Sequence, residues 1–207
     1  VLNLFYDYEG QKQDLIRYMR ETEDQLQILL CELAAYLHNK DMEINVWDQI
    51  IAFEGRMHEF IKAAYDYQDN TFHSHPGYYI DYFEMRLAQL QVLHNLHYEI
   101  KKIRKMPKQA LVIADYIMYM ADYVVEMNIP DQQIEKLEEI SEQMKQEELP
   151  KTREEFEGRA LLYHILMDLE EFLVYKKRFV NGLDEKKLRI YWKQEMEQKD
   201  SANELQK

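Results

Sequence analysis

"LPKTREEFEGRALLYHILMDLEEFLVYKKRF", residues 149–179, places acidic residues at its start, apolar residues in its middle and basic residues at its end. That order suits one long α-helix, whose amino end is partly positive and whose carboxyl end is partly negative. Glu154, Glu155 and Glu157 favour the first end, and Lys176, Lys177 and Arg178 favour the second. Thr152 followed by Glu155 is a capping box, in which each side chain meets an exposed amide of the first turn. Glu155 and Arg159 stand four apart and pair on one face. Leu162, Leu166, Leu169 and Leu173 form a core stripe, and Asn181-Gly182 supplies a stop. The spacing predicts a helix over 153–180.

The same period runs through the rest of the chain. Leu15, Met19, Thr22, Leu26, Leu29, Leu33 and Tyr36 alternate steps of four and three, predicting a helix over 11–39. A second, over 46–67, has Asn45 as its cap and an apolar stripe of Trp47, Ile50, Ile51, Met57, Phe60, Ile61 and Ala64. "DNTFHSHPGYY" breaks the pattern at Pro76-Gly77. A third helix over 78–105 buries Phe83, Leu87, Leu90, Leu93, Leu96, Ile100 and Ile103, with His94 and His97 at the stripe's edge. A fourth is expected over 107–128, opened by Pro107, with Ala110, Ile113, Ile117, Met120, Val124 and Met127 inward and Asp115, Tyr119, Asp122 and Glu126 on another face. A short acidic helix over 131–146 and a last one over 184–197 complete the set. All four prolines fall at predicted boundaries.

These elements predict an all-α fold, an antiparallel multi-helix bundle of long helices joined by short connections. Only 5 glycines in 207 residues agree with few turns, and 46% hydrophobic residues allow a sizeable core. Residues 1–183 are expected to form the bundle and 184–207 a C-terminal helix with a polar tail. The charge, 26 basic against 39 acidic residues or −13, disfavours nucleic acid as a partner. The single cysteine, Cys31, excludes an internal disulfide and suits a reducing compartment. No apolar run approaches the roughly 18 residues of a membrane span. The chain opens on Val1, as expected of a soluble piece of a longer protein, although N-terminal processing leaves the same mark.

Chemical motifs are sparse. A di-iron bundle needs Glu-x-x-His pairs, yet Ala35, Gly55, Gln91, His94 and Leu161 stand three before His38, His58, His94, His97 and His164. His73-x-His75 and His94-x-x-His97 have ligand spacing, but loop polarity and half-buried helix positions account for them more simply. No Gly-x-Ser-x-Gly or phosphate loop is present. No catalytic residue, metal or cofactor is therefore expected. Sixteen tyrosines stand out, and Tyr78, Tyr82, Tyr116 and Tyr119 are candidates for an aromatic-ligand region, against the plainer reading of amphipathic rim residues. "KKIRKMPK", residues 101–108, is a basic island; Lys101, Lys102, Arg104 and Lys105 either touch anionic lipid headgroups or complement the dipole of their own helix.

"YYIDYFEMRLAQ" (78–89), "MPKQALVIADYI" (106–117), "EMN" (126–128) and "LPKTREEFEGRALLYHILMDLEEFL" (149–173) together resemble the C-terminal domain of the aromatic acid exporter family of Gram-positive bacteria. The likeness covers about residues 45–180, and the segment 152–160 is its most telling part. The resemblance implies a membrane protein whose N-terminal half holds several spanning helices, with this domain on the cytosolic side of the cell membrane. On that basis the expected function is non-enzymatic: a domain that helps to assemble or regulate the transporter. Its expected partners are the membrane-spanning part of the same protein and a second copy of itself. An aromatic-carboxylate sensor is the alternative, and a metal-dependent helical enzyme the third reading. Capping leaves Arg153, Glu157, Gly158 and Arg159 unexplained, so with Glu155 they form a candidate contact with another helix or a neighbouring subunit.

Overall fold

The computed structural model describes residues 2–39, 45–70 and 77–193. Seven helices follow in order: α1 Leu2–His38, α2 Val46–Asp69, α3 Gly77–Lys102, α4 Ala110–Ala121, α5 Asp131–Lys145, α6 Arg153–Asn181 and α7 Glu185–Tyr191. No strand occurs among the described residues, and the fold is all-α. The break at Pro76, the pair His73 and His75, and the tail beyond 193 lie outside the described residues.

Local chemistry sets the helix starts. Asn45 caps α2 by accepting from the Asp48 amide, and Thr152 caps α6 by accepting from the Glu155 amide at 3.1 Å. The box at α6 is shifted by one residue: the Glu155 carboxylate accepts from the Lys151 amide at 2.9 Å rather than from Thr152. Gly182 ends α6 with φ of −79°, so it is the helix's stop without adopting the left-handed conformation.

The long helices pack antiparallel. Glu32 meets Gln49 and Glu21 meets Arg56 across α1 and α2, while Tyr65 meets Glu84 across α2 and α3. Gln27 and His38 of α1 reach Val124 and Asp115 beside α4. α3 and α6 make the most extensive contact, and α5 rests on α6. The predicted α1 seam is buried throughout, and Leu30, Ala34 and Leu37 add a second buried row because α4 covers a further face. α3 touches α1, α2 and α6 and is buried on nearly every side along its first half.

The structure corrects several boundaries and faces. α3 ends at Lys102 rather than 105, and α4 spans Ala110–Ala121 rather than 107–128. Past Ala121 the backbone tightens, with the Tyr123 and Val124 amides reaching the Met120 and Ala121 carbonyls three residues back. Side chains take over instead: Gln27 donates to the Val124 carbonyl, and Lys176 to those of Val125 and Glu126. Trp47 and Ile51, predicted to lie in the core stripe of α2, are 41% and 45% exposed, since the neighbouring helices cover a narrower face than the stripe. α7 stops at Tyr191.

Candidate functional site: a buried polar seam

One face of α3 carries Tyr78, Tyr82, Arg86 and Gln89 at helical spacing, and all four are buried. Polar side chains in a core are stable only when their hydrogen bonds are made, and here partners arrive from distant elements. Arg86, 1% exposed, donates through Nε to the Tyr82 hydroxyl at 3.1 Å and through Nη1 to Gln89 at 2.9 Å. Its Nη2 lies 3.5 Å from Glu23 of α1, which also accepts from the Tyr82 hydroxyl at 2.8 Å. Gln89 in turn donates to the Phe172 carbonyl of α6 at 2.7 Å.

The seam continues toward the C-terminus of the fold. The Tyr78 hydroxyl donates to Glu126 at 2.6 Å and accepts from the Trp192 indole at 3.0 Å. Lys176, 3% exposed, donates to the Val125 carbonyl at 3.1 Å and also to that of Glu126. Burial pushes the Tyr78 and Tyr82 hydroxyls well above the ordinary phenol value, with Glu126 adding to the first. Burial likewise raises the Glu126 carboxyl, opposed by the Tyr78 hydrogen bond. A cavity of about 10 Å³, the size of one water, adjoins Arg86, Gln89, Gln133 and Lys176. Two cations and two carboxylates thus share one interior. The arrangement can hold protons and position helices.

Residues 12–177 match the family described as "Putative aromatic acid exporter C-terminal domain". The chain belongs to this family. It is 27% identical over 184 residues to "Uncharacterized protein YqjA" of Bacillus subtilis (strain 168), covering 86% of this chain. The chain spans 55% of that relative's length. Its fold is shared with a "putative membrane protein" of Clostridium difficile 630, at a TM-score of 0.70 and 24% identity, over 80% of this chain and 98% of that one. The match begins at residue 12, earlier than the resemblance read from sequence, so α1 is part of the exporter-family domain. No helix among the described residues is long and apolar enough to cross a membrane.

Within this exporter-family domain the four candidate tyrosines fall into two groups. Tyr78 and Tyr82 belong to the seam. Tyr116 donates to the Gln133 carbonyl at 2.7 Å, and Tyr119 accepts from the Gln133 side chain at 3.3 Å beneath the Lys136 ammonium. The hydroxyls of Tyr78, Tyr82 and Tyr116 point inward to protein acceptors, not outward as rim residues would.

The charged segment of α6 is divided too. Arg153, 91% exposed, pairs with Glu157 at 2.9 Å. Arg159 is 13% exposed, pairs with Glu155 at 2.6 Å and donates to the Glu148 carbonyl at 2.5 Å. Gly158 is buried, and a Cβ there would meet Pro107 Cγ at 2.9 Å and the Lys105 carbonyl at 3.4 Å. What Gly158 and Arg159 touch are two connections of this same chain, α3–α4 and α5–α6. The basic island lies against that end: Lys101 sits over the Tyr36 ring at 4.6 Å, and Lys102 pairs with Glu99 at 2.8 Å.

The histidine pair of α3 is held by aromatic and acidic neighbours. Trp47 meets His94 edge-on at 4.4 Å, His94 lies 3.7 Å from Glu54, and burial lowers the pKa of His97. Among the described residues no group of three His, Cys, Asp or Glu side chains is arranged to hold a metal ion. Burial, with Asp122 and Glu32 nearby, raises the Cys31 thiol, opposite to the shift that activates a nucleophile.

Sequence reasoning missed most of the seam. The sequence alone does not single out Arg86, Gln89, Glu23 or Trp192, sets Glu126 on a face of the fourth helix other than the inner one, and assigns Lys176 to the helix dipole. The readable signal is the Tyr-x-x-x-Tyr-x-x-x-Arg-x-x-Gln spacing from Tyr78 to Gln89, one stripe of polar-tipped side chains at helical period.

Proposed function

We propose that this domain is a non-enzymatic accessory part of a membrane transporter, helping to assemble or regulate the membrane-spanning part from its cytoplasmic side. The observation that carries the reading is the family match over residues 12–177 together with a relative of which this chain covers only 55%. The remaining length of such a protein has room for spanning helices, each of about 20 residues. The buried seam supports the same reading, because it fixes the mutual positions of α1, α3 and α6 as a transmitting body needs. Contact with a second copy, and contact of Lys101, Lys102, Arg104 and Lys105 with anionic headgroups, belong to the same proposal.

Two experiments test it. The reading frame upstream of Val1 should encode about four hydrophobic segments of spanning length; their absence removes the transporter assignment. In the full-length protein, deleting this domain should change the rate of benzoate efflux or the size of the assembled complex. Unchanged efflux and unchanged assembly would end the accessory role.

A further inference from the structure

Trp192 is the one fully buried anchor of its segment. It is 2% exposed, yet none of residues 180–191 immediately before it is buried, and α7 buries no residue of its own. Ile190 beside it is 54% exposed. Leu183, Leu188 and Tyr191 add only partly buried contacts with the core, and a segment whose hold is concentrated in a few side chains opens at lower cost than one buried along its length. The receptor for that side chain is built from the core elements: Tyr78 on α3, Glu126 in the α4–α5 connection, and Lys176 and Phe179 on α6. Tyr78, Glu126 and Lys176 lie inside the span that matches the family, 12–177, whereas Trp192 lies beyond it.

The chemistry of the receptor is specific. Tyr78 spends its own proton on Glu126, so its hydroxyl offers a lone pair to the indole N–H at 3.0 Å. The Lys176 ammonium stands 5.5 Å from the indole ring, an arrangement that favours an electron-rich face. Tyr191 stacks on Tyr78 at 3.8 Å and 5°, a second contact of α7 that opens together with Trp192. A carboxylate at the Tyr78 end would stand beside Glu126; a neutral ring donor is what this end accepts.

We propose that the place held by the Trp192 indole is a binding site for a small planar aromatic molecule with one ring N–H or O–H donor, an indole or a phenol. Trp192 is the chain's own removable occupant. A ligand that takes its place releases α7 and turns occupancy of the seam into a change at the C-terminal end of the domain. The inference stands independently of the transporter reading.

The test uses the 207-residue chain carrying Trp47→Phe, which leaves Trp192 as the one remaining tryptophan of two, labelled with 5-fluorotryptophan. Adding indole should move the Trp192 fluorine resonance to its solvent-exposed position and speed tryptic cleavage after Lys187 and Arg189 about tenfold, as the open form becomes populated. Indene, of the same shape without the N–H, should act about tenfold more weakly for want of the hydrogen bond. By calorimetry, Trp192→Ala should bind indole at least about tenfold more tightly than the parent, because the competing occupant is gone. A Trp192 resonance that stays in place up to the solubility limit of indole overturns the proposal, and this arm needs no variant at Trp192. Equal responses to indole and indene overturn the ligand class.

Discussion

The ammonium of Lys176 donates to the Val125 carbonyl at 3.1 Å, so a side chain of α6 completes the backbone where α4 gives out. Replacing Lys176 by Met keeps the stem and removes the donor, taking the ammonium from the Glu126 carbonyl and leaving that of Val125 with only the Asn128 amide at 3.4 Å. The expected cost is about 2–4 kcal/mol, since an unmet buried acceptor costs its desolvation. Lys177→Met breaks only an exposed pair with Asp131 and should cost under about 1 kcal/mol. Urea midpoints of the two variants decide it: equal losses would mean that Lys176 does not cap this connection.

Gly158 and Gly55 make a matched pair of helix glycines with opposite surroundings. A Cβ at Gly55 meets nothing within 4 Å, whereas one at Gly158 meets the Pro107 ring at 2.9 Å. Alanine favours a helix interior by about 1 kcal/mol, so Gly55→Ala should raise the melting temperature. Gly158→Ala should lower it by the equivalent of about 1 kcal/mol or more, because the proline ring and the Lys105 carbonyl cannot both yield. A stabilised Gly158→Ala would show that the connection moves freely away from α6.

Arg159 and Arg153 separate a buried contact from a surface pair. Arg159→Ala removes a charge-assisted bond to the Glu148 carbonyl and should cost about 1–2 kcal/mol. Arg153→Ala and Glu157→Ala touch an exposed pair and should stay within about 0.5 kcal/mol of the parent. Thermal unfolding of the three variants checks the ranking, and size-exclusion chromatography shows whether any of them alters assembly.

Asp168 on α6 supplies a pH dependence with a definite sign. Burial first, then the nearby Glu99 and Glu171, raise its carboxyl from 3.8 to about 6. The folded chain therefore holds this proton more tightly than the unfolded chain. The group's contribution is most favourable below the unfolded value, is lost as pH rises through the folded value, and is flat above it. Asp168→Asn removes that loss. Its stability relative to the parent should improve by about 1 kcal/mol between pH 4 and 7.5, after discounting for the half-exposed site. Urea midpoints at the two pH values provide the measurement; a constant difference would place Asp168 in water.

Much of the fold was legible because it rests on local rules. The α1 seam from Leu15 to Tyr36, the leucines of α6 and the caps at Asn45 and Thr152 follow from helical period and from the amides that any helix start exposes. The width of a buried face does not follow, because it depends on how much of it the neighbours cover; Trp47 and Ile51 were assigned to the core for that reason. The seam was illegible for a different one. Arg86 meets Glu23 across 63 residues of sequence and Gln89 meets Phe172 across 83, and no local pattern pairs residues so far apart. Lys176, within Lys-Lys-Arg at a helix end, carries the same signature as its exposed neighbours. Only the partner carbonyls, in the connection after α4, distinguish it.

The polar stripe from Tyr78 to Gln89 also has a thermal consequence. Exposing apolar surface raises the heat capacity on unfolding, while exposing polar surface lowers it. A bundle that fills part of its interior with tyrosine hydroxyls, amides, Arg86 and Lys176 therefore unfolds with a smaller heat-capacity increment than an all-aliphatic bundle of equal length. Its stability curve is correspondingly flatter. The cost of keeping Arg86 and Glu23 out of water also falls as temperature rises, so this part of the interior holds up better on warming than on cooling.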